Sequence, residues 1–483
     1  MNYPATLARI KSAFDITASL GNAPPRIQIF FVANLMKLLA LIAIGLASFL
    51  NFQPIASGTG LVLFLWLGLM LAVATPQTDA LLAASQRWLK PTWHISLAVL
   101  AIVIGVETTA VGAVLVWEAA GHTSLPAWAQ TLTDALKPSD ATAFTIQASE
   151  NLLAEKNPYA HANIITAMDA SPEAYNKITP LRTGIFADSF PYPTEDELES
   201  FWGEAITTPE VIPPEIESRF NYPAGSFLLV APFTALGIDD MRIVLIVFAI
   251  PALIYAVLKV APQKRLIIIL GVLLSFELWG AMFDGDTKLL CLPFILVGYL
   301  LIPRRLWLSA IFIGIAAATR QTAWFFLPFY LILIWQTKGW RMCLQSGAII
   351  GSVFLAANTP FLAANPQLWL TSVLAPMAGE MFPAGSGMVS LITSGVVPFD
   401  WPFLFTILEL AAFGGGILWY IRNARRAPHA GLLLAVVPLF FAWRSLWSYF
   451  YFVDIILLAV VLSQEKHWAT DQTRAPRELA AAT

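Results

Sequence analysis

Hydrophobic and polar positions follow one another along this chain in long blocks. Three apolar stretches, at about 29–50, 59–75 and 94–117, precede a polar segment of about 120–222. Further apolar runs follow at about 224–238, 241–258, 266–282, 287–303, 306–319, 323–337, 342–357, 403–421, 429–443 and 446–463. Most approach the roughly 17–25 residues that cross a bilayer as a helix. None alternates with the period of a barrel strand, so the pattern predicts helices.

The blocks predict an all-α polytopic membrane protein with 12 or 13 transmembrane helices. Residues 1–27 are polar and have no small-residue cleavage site after a short apolar core, so we do not expect a cleaved signal. The predicted regions are a cytoplasmic segment with three transmembrane helices (1–118), a large extracytoplasmic loop with amphipathic juxtamembrane helices (119–223), a central transmembrane bundle (224–357), a second extracytoplasmic loop (358–402), C-terminal transmembrane helices (403–463) and a cytoplasmic tail (464–483).

Lysine and arginine set the predicted orientation. The terminal segments and the short basic loops hold 18 Lys/Arg against 5 Asp/Glu, whereas the polar segment 120–222 holds 5 against 15. Because positive loops stay in the cytoplasm, the acidic segment should lie outside and both termini inside. Three crossings from a cytoplasmic N-terminus give the same answer. No retention signal of the endoplasmic reticulum is visible, so we expect a bacterial plasma membrane.

One apolar run conflicts with this orientation. Lys259, Lys264 and Arg265 should be cytoplasmic, yet two apolar runs, 224–238 and 241–258, separate them from the outer segment. A chain that runs from the outside to a cytoplasmic loop 259–265 can cross the membrane only once between them. The first run is short, follows Pro223 and contains Pro232, so we interpret it as partly inserted or re-entrant. The alternative is that the loop 259–265 breaks the charge rule.

Composition narrows the protein class. Hydrophobic residues make up 58% of the chain and charged residues 12%, about half of the roughly 25% charged residues in soluble proteins. A net charge of −3 provides no basic field for a nucleic-acid partner. Cys291 and Cys343 lie in apolar surroundings at no metal-binding spacing, so we interpret them as small core residues.

The outer segment contains the clearest chemical signal. Asp140 follows Pro138-Ser139 and opens a predicted amphipathic helix, 141–155, along the membrane face, with Asn157-Pro158-Tyr159 after it. Asp140 suits two roles. It can cap the helix, because an aspartate there accepts backbone N–H bonds. It can also act as a general base at the water–lipid boundary.

Four segments between about 140 and 330 together resemble GT-C glycosyltransferases, most closely the polyprenyl-phosphate-mannose-dependent mannosyltransferase branch. They are the Asp140 segment, Asn221-Tyr222-Pro223, Gly285-Asp286-Thr287-Lys288 and Thr319-Arg320-Gln321-Thr322 with Leu327-Pro328. The resemblance implies that Asp140 is the catalytic base. The chain departs from the family in its three spans before the outer loop, in Ala224 where a second proline is usual, and in Asp286 in place of glutamine. These departures leave the sugar and any metal requirement open.

Ionisable residues within the apolar runs are the second signal, because charge there is costly and often functional. The basic ones are Lys37, Arg320 and Arg444, and the acidic ones are Glu107, Glu277, Glu409 and Asp454. Lys37 and Glu107 fall at similar depths, about 7 Å apart at a helical rise of roughly 1.5 Å per residue, so we predict an ion pair.

Arg320 and Arg444 fall near the predicted outer ends of their helices, at the depth of a lipid phosphate. An arginine fork binds two phosphate oxygens at once. For Arg444, snorkelling or pairing with Asp454 is the alternative. Lys288 is the third candidate for binding the phosphate. The alternative is that it belongs to a solvated loop and has no binding role.

The resemblance, together with these signals, implies an inverting hexosyltransferase. The resemblance implies a polyprenyl-phosphate sugar donor, mannose being its suggested sugar, and an extracytoplasmic glycolipid, glycan or protein acceptor. Besides Asp140 and the three phosphate-binding candidates, the predicted substrate-binding residues are Tyr159, Tyr222, Asp284, Asp286 and Gln321. Membrane lipids are expected partners and nucleic acid is not. No motif assigns a metal or other cofactor. The alternatives are a transporter or lipid flippase that uses the intramembrane carboxylates, and a non-catalytic assembly partner.

Overall fold

The computed structural model describes residues 23–49, 58–83, 86–119, 139–377 and 381–464, which are mostly helical and contain almost no strand. The helices before the central bundle are α1 (Pro25–Phe49), α2 (Thr59–Ala74), α3 (Thr78–Leu81), α4 (Gln86–Ala119), α5 (Asp140–Leu153), α6 (Ile164–Ala167) and α7 (Glu195–Ala205). Those of the central bundle are α8 (Gly225–Thr234), α9 (Met241–Lys259), α10 (Arg265–Leu273), α11 (Phe276–Phe283), α12 (Leu292–Leu301), α13 (Leu306–Thr319), α14 (Phe326–Lys338) and α15 (Trp340–Ala364).

The C-terminal part continues with α16 (Pro366–Val373), α17 (Ser390–Thr393), α18 (Pro402–Asn423), α19 (Ala430–Leu434), α20 (Val437–Phe440) and α21 (453–464). Short 3₁₀ turns link several of these helices, including Thr287–Cys291 before α12 and Gln321–Phe325 before α14. Two short strands, β1 (Ala384–Gly385) and β2 (Arg444–Ser445), pair in parallel. They bring the loop after α16 against the segment before α21.

The predicted class, an all-α polytopic membrane protein, is confirmed. In the described part of the chain, six helices are long and apolar enough to cross a membrane, or seven if the bent pair α10 and α11 is one span. Five further apolar helices have 10–17 residues. Several of the predicted apolar runs contain two shorter helices instead of one; the run 429–443, for example, contains both α19 and α20. The count of 12 or 13 stays a prediction, which depends on shorter helices also crossing.

The segment that contains α8 begins and ends near the loop 285–287, because Tyr222 before α8 stacks on Arg320, which donates to Thr287. The helix itself has ten residues, about 15 Å of the roughly 30 Å hydrocarbon core. At its start, the backbone N–H of Ala224 donates to Asn358 Oδ1 (2.9 Å). The chain then returns, and Met241, the first residue of α9, lies against Gly285. This geometry supports the interpretation of 224–238 as partly inserted, with α9 as the single crossing.

The outer segment has a small core of its own, formed around Phe144, Trp202 and Phe220 and continuous with Phe227 of α8. The helix predicted at 141–155 is observed as α5, Asp140–Leu153. It ends where Glu155 adopts φ +58° and the N–H of Lys156 donates to Asn151 O (2.8 Å), which is the geometry of a Schellman cap. Its buried face packs on α8, where Ser149 Oγ donates to Phe227 O (3.2 Å). The apolar face of α5 is therefore covered by α8, and the position of this helix along the membrane face stays a prediction.

Lys37 forms its ion pair with Glu277 on α11, not with Glu107 as predicted. The two side chains are 1% and 6% exposed. The Lys37 ammonium also lies 4.2 Å from the Trp66 ring centroid, and Trp447 Nε1 donates to Glu277. The helical backbone at Glu107 is described, but its side chain is outside the described part. Depth along a helix places a charge at one level of the membrane and leaves open which neighbour it faces.

Candidate active site

Asp140 lies at the first turn of α5, but the N-cap is Ser139, whose Oγ accepts from the N–H of Thr142 (3.4 Å). The capping alternative for Asp140 is therefore wrong. Its carboxylate is half-buried. One oxygen accepts from the N–H of Ala141 (2.6 Å) and the other from Thr179 Oγ1 (2.7 Å). These bonds orient the carboxylate while each oxygen keeps a further lone pair for a substrate proton.

The start of α5 is joined directly to the loop 284–288. Thr142 Oγ1 donates to Gly285 O (2.9 Å). Asp286, next in the chain, caps the following 3₁₀ turn by accepting from the N–H of Lys288 (2.9 Å). Lys288 Nζ lies 3.6 Å from Asp286 Oδ1. The structure thus places this loop beside the first turn of α5, where Asp140 lies.

Arg320 is held rigidly where α13 ends. Its side chain is buried, with the guanidinium 3.7 Å above the Tyr222 ring. Arg320 Nη2 donates to Thr287 Oγ1, and Nε donates to Thr287 O (3.3 Å). Lys288 interacts electrostatically with Tyr222, Arg320 and Tyr449. Arg320, Lys288 and Tyr222, which were predicted separately, therefore form one cluster.

Arg444 reaches the cluster from the C-terminal part of the chain. It is half-buried in β2, and its Nη1 donates to Phe382 O (3.3 Å). Asp454, its alternative partner in the sequence, faces Lys37 and Glu277 instead. The two strands lie so close together that a Cβ on Gly385 would be only 2.0 Å from Ser445 O, so this position requires glycine. Arg444 is thus positioned by backbone pairing and not by a buried carboxylate.

Tyr192 links Arg444 with Asp140. Burial raises the pKa of the Tyr192 hydroxyl; the positive charge of Arg444 lowers this pKa, and the negative charge of Asp140 raises it. Tyr449 likewise interacts with Lys288, Arg444, Tyr222 and Arg320. Since each tyrosine is close enough to interact with several of these charged groups, the groups lie in the same region of the structure. The sequence analysis gave no role to Tyr192 or to Tyr449.

Asp284 lies in the loop that follows α11. Burial raises the pKa of its carboxyl to about 6, against the positive charges of Lys177, Lys288 and Arg242; Asp286 raises this pKa further. Lys177 comes from the outer segment and is a second residue that the sequence did not indicate. Among the described residues, no three His, Cys, Asp or Glu side chains group as they would around a metal ion.

Two predicted substrate-binding residues, Tyr159 and Gln321, hold the backbone next to Tyr222 in the cluster of Arg320, Lys288 and Tyr222. Tyr159 is buried among Phe220, Phe227 and Phe361, and its hydroxyl donates to Tyr222 O (2.9 Å). Gln321 Nε2 donates to Asn221 O and to Val373 O (2.9 Å for the latter). Both side chains use their polar groups to fix the segment of Tyr222, so their contacts are those of structural residues.

The charged groups can divide two tasks. Lys288, Arg320 and Arg444 supply positive charge where a phosphate would need it, and Asp140 supplies a half-exposed carboxylate near them. The ring of Tyr222 stacks on Arg320, and Tyr192 and Tyr449 interact with several of these charges. Such a combination can bind a phosphorylated, partly apolar molecule and accept a proton from it or from a second molecule.

The comparisons with known proteins agree with this chemistry. The model of glycosyltransferase family 87 matches residues 220–463, about half of the chain. The match contains Tyr222, Lys288, Arg320 and Arg444, and leaves Asp140 outside. Searches of curated proteins and of solved structures found no significant match. The chain belongs to glycosyltransferase family 87, a family of GT-C-type membrane glycosyltransferases.

Proposed function

We propose that the protein transfers a sugar from a polyprenyl-phosphate donor to an extracytoplasmic glycolipid, glycan or protein acceptor, with inversion at the anomeric carbon. Mannose is the sugar suggested by the resemblance of the sequence motifs. The observation that carries the proposal is the convergence of Asp140, Arg444, Arg320 and Lys288 around shared tyrosines. The family supports glycosyl transfer, and this arrangement supports a phosphate leaving group.

The proposed reaction is a single displacement. The acceptor hydroxyl oxygen attacks the anomeric carbon from the face opposite the phosphate, and its proton passes to the Asp140 carboxylate. The bond between the anomeric carbon and the phosphate oxygen breaks, and polyprenyl phosphate leaves with the bonding electrons. Thr179 and the N–H of Ala141 keep the carboxylate oriented for this step.

Positive charge assists departure of the phosphate. Negative charge grows on the leaving oxygen in the transition state, where preorganised cations stabilise it most in a site with little water. We assign this role first to Arg444 and Arg320, with Lys288 beside them. Arg320 already donates to Thr287, so its remaining donors and its fixed charge would act on the phosphate. Arg444 bonds a carbonyl and retains most of its donors.

The proposal places this reaction outside the plasma membrane. It rests on the charge distribution of the loops and on the position of the outer segment at the same end of the bundle as Arg320 and Arg444. The transporter alternative needs accessible intramembrane carboxylates. Glu277 is instead paired with Lys37, and Asp454 is buried beside both.

The test is the Asp140→Asn variant in proteoliposomes with polyprenyl-phosphate mannose and a lipid extract as acceptor source. Asparagine keeps the size and one acceptor oxygen but accepts a proton poorly, so transfer should fall by about 10²–10⁴, with an unchanged thermal unfolding midpoint. Glu150→Gln, an exposed acid on the same helix, is the control and should keep full activity.

Two results would count against the proposal. Transfer by Asp140→Asn at the wild-type rate would remove Asp140 as the base. Transfer by wild type from a nucleotide sugar, with none from the polyprenyl-phosphate sugar, would reject the donor class and leave the glycosyltransferase assignment unchanged.

A further inference from the structure

A second feature lies away from the candidate active site, on the side of the bundle formed by α9, α12 and α13. There the helices enclose a groove with a volume of about 590 Å³. Its wall is apolar and includes Phe248, Val297 and Phe312. The lining runs from Val247 to Lys259 along α9, which is about 18 Å at the rise of a helix. This length is close to one bilayer leaflet, half of roughly 30 Å.

Charge is confined to one end of the groove. Lys259, Arg304 and Arg305 all line it, and no acidic residue does so among the described lining residues. All three basic side chains are exposed, and no ion pair is seen for them within the described part of the chain. The Lys259 ammonium lies 4.9 Å from the Tyr255 ring centroid. Three positive charges therefore meet at the mouth of an apolar channel.

The far end is lined by aromatic rings. Phe248 and Phe294 have centroids 5.7 Å apart, and Phe294 and Phe312 have centroids 6.2 Å apart. The groove thus has a cationic end, an apolar wall and an aromatic end. An empty apolar groove of this size within a membrane forfeits the packing that a chain would supply.

We propose that this groove binds one anionic phospholipid, with the phosphate at Lys259, Arg304 and Arg305 and an acyl chain along the wall to the phenylalanines. Basic pockets between transmembrane helices are suited to acidic headgroups, because each cation near the surface contributes to binding. A zwitterionic headgroup would bring a compensating positive charge into the same pocket. In the orientation proposed above, the lipid comes from the cytoplasmic leaflet.

The helices that line the groove also carry residues of the candidate active site at their opposite ends. The turn before α12 carries Lys288, and α13 ends at Arg320. A lipid between α9, α12 and α13 would therefore brace the helices on which two of the three site cations stand. The proposal does not depend on the proposed reaction, since binding is measured without substrate.

The experiment measures lipid binding to the full-length protein in detergent, by native mass spectrometry and by the thermal unfolding midpoint. Phosphatidylglycerol should bind and raise the midpoint, whereas phosphatidylcholine and inorganic phosphate should not. The double variant Arg304→Gln/Arg305→Gln should bind phosphatidylglycerol at least about tenfold more weakly. The matched control is Lys338→Gln/Arg341→Gln, two exposed cations outside the groove, which should bind as wild type does.

A third variant tests the apolar wall. Val297→Trp keeps the cations and fills the groove, so it should also weaken binding of phosphatidylglycerol. The proposal is overturned if phosphatidylcholine binds equally, if inorganic phosphate alone gives the same shift, or if the groove and control double variants lose binding alike. Because the changed arginines are exposed, their variants should fold even if Val297→Trp does not.

Discussion

Two groups of charges in this protein are built in opposite ways. The intramembrane group places one cation, Lys37, beside two carboxylates, Glu277 and Asp454, and all three are sealed from solvent. The candidate active site gathers three cations and three carboxylates, several only half-buried, held by backbone pairing and tyrosines. Charge that is paired and buried stabilises the arrangement of helices, whereas charge left accessible is available to a substrate.

The largest effect should come from breaking the intramembrane pair. Lys37→Met leaves Glu277 buried without its cation, which costs about 3–5 kcal/mol when one partner of a buried pair is removed. The double variant Lys37→Met/Glu277→Gln should recover much of this free energy, because glutamine still accepts from Trp447. The measurement is thermal unfolding in detergent.

The matched change at the site is Arg444→Gln. It should lower sugar transfer while leaving the unfolding midpoint near that of wild type, because Arg444 is half-buried and bonds a carbonyl. If Lys37→Met unfolded like wild type, or if Arg444→Gln lost as much stability as Lys37→Met, the distinction between the two groups would fail.

An intermediate effect should follow from the strand pair that holds Arg444. Gly385 has φ +112°, and a Cβ there would meet Ser445 O, so Gly385→Ala should cost about 1–3 kcal/mol and also reduce transfer. Gly395→Ala is the control, since Gly395 has φ +72° with no atom within 4 Å of a Cβ. It carries only the backbone cost and should keep its activity. Equal losses of activity in both variants would show that the pairing does not position Arg444.

The smallest effect concerns Asp284, whose pKa is raised to about 6 in the folded protein from an ordinary value of 3.8. Folding therefore favours its protonated form, and the free energy of unfolding should fall as the pH rises from about 4 to about 6. With its partial exposure, the loss should be about 1–2 kcal/mol. Asp284→Asn should remove this part of the pH dependence and be the more stable protein at pH 7. Unfolding midpoints at pH 4.5, 5.5 and 7 measure it, and parallel curves for the two proteins would contradict it.

Local sequence signals predicted the elements near the site. The helix after Ser139 was placed within two residues at each end, because its apolar spacing and its start are encoded by neighbouring residues. The short run after Pro223 was interpreted as partly inserted, and the ten residues of α8 support this interpretation. Its length and its prolines contained the necessary information.

Long-range contacts could not be predicted in the same way. Hydropathy indicated that Lys37 needs a partner but not that α1 packs near α11, so the similar depth of Glu107 led to the wrong partner. The pairing of Ala384 with Arg444 depends on two loops with no shared pattern. Tyr192 and Lys177 entered the site only through folding of the outer segment, whose polar composition does not distinguish site residues from surface ones.

The distance in sequence between Lys37 and Glu277, 240 residues, also has a consequence for biosynthesis. At roughly 5–20 residues per second, about 12–50 s of translation separate the two residues. During this time the first helix is made but its ammonium has no carboxylate partner from α11. Insertion of the N-terminal helices should therefore stay provisional, and a ribosome stalled before α11 should leave them more easily extracted from the membrane than one stalled after it.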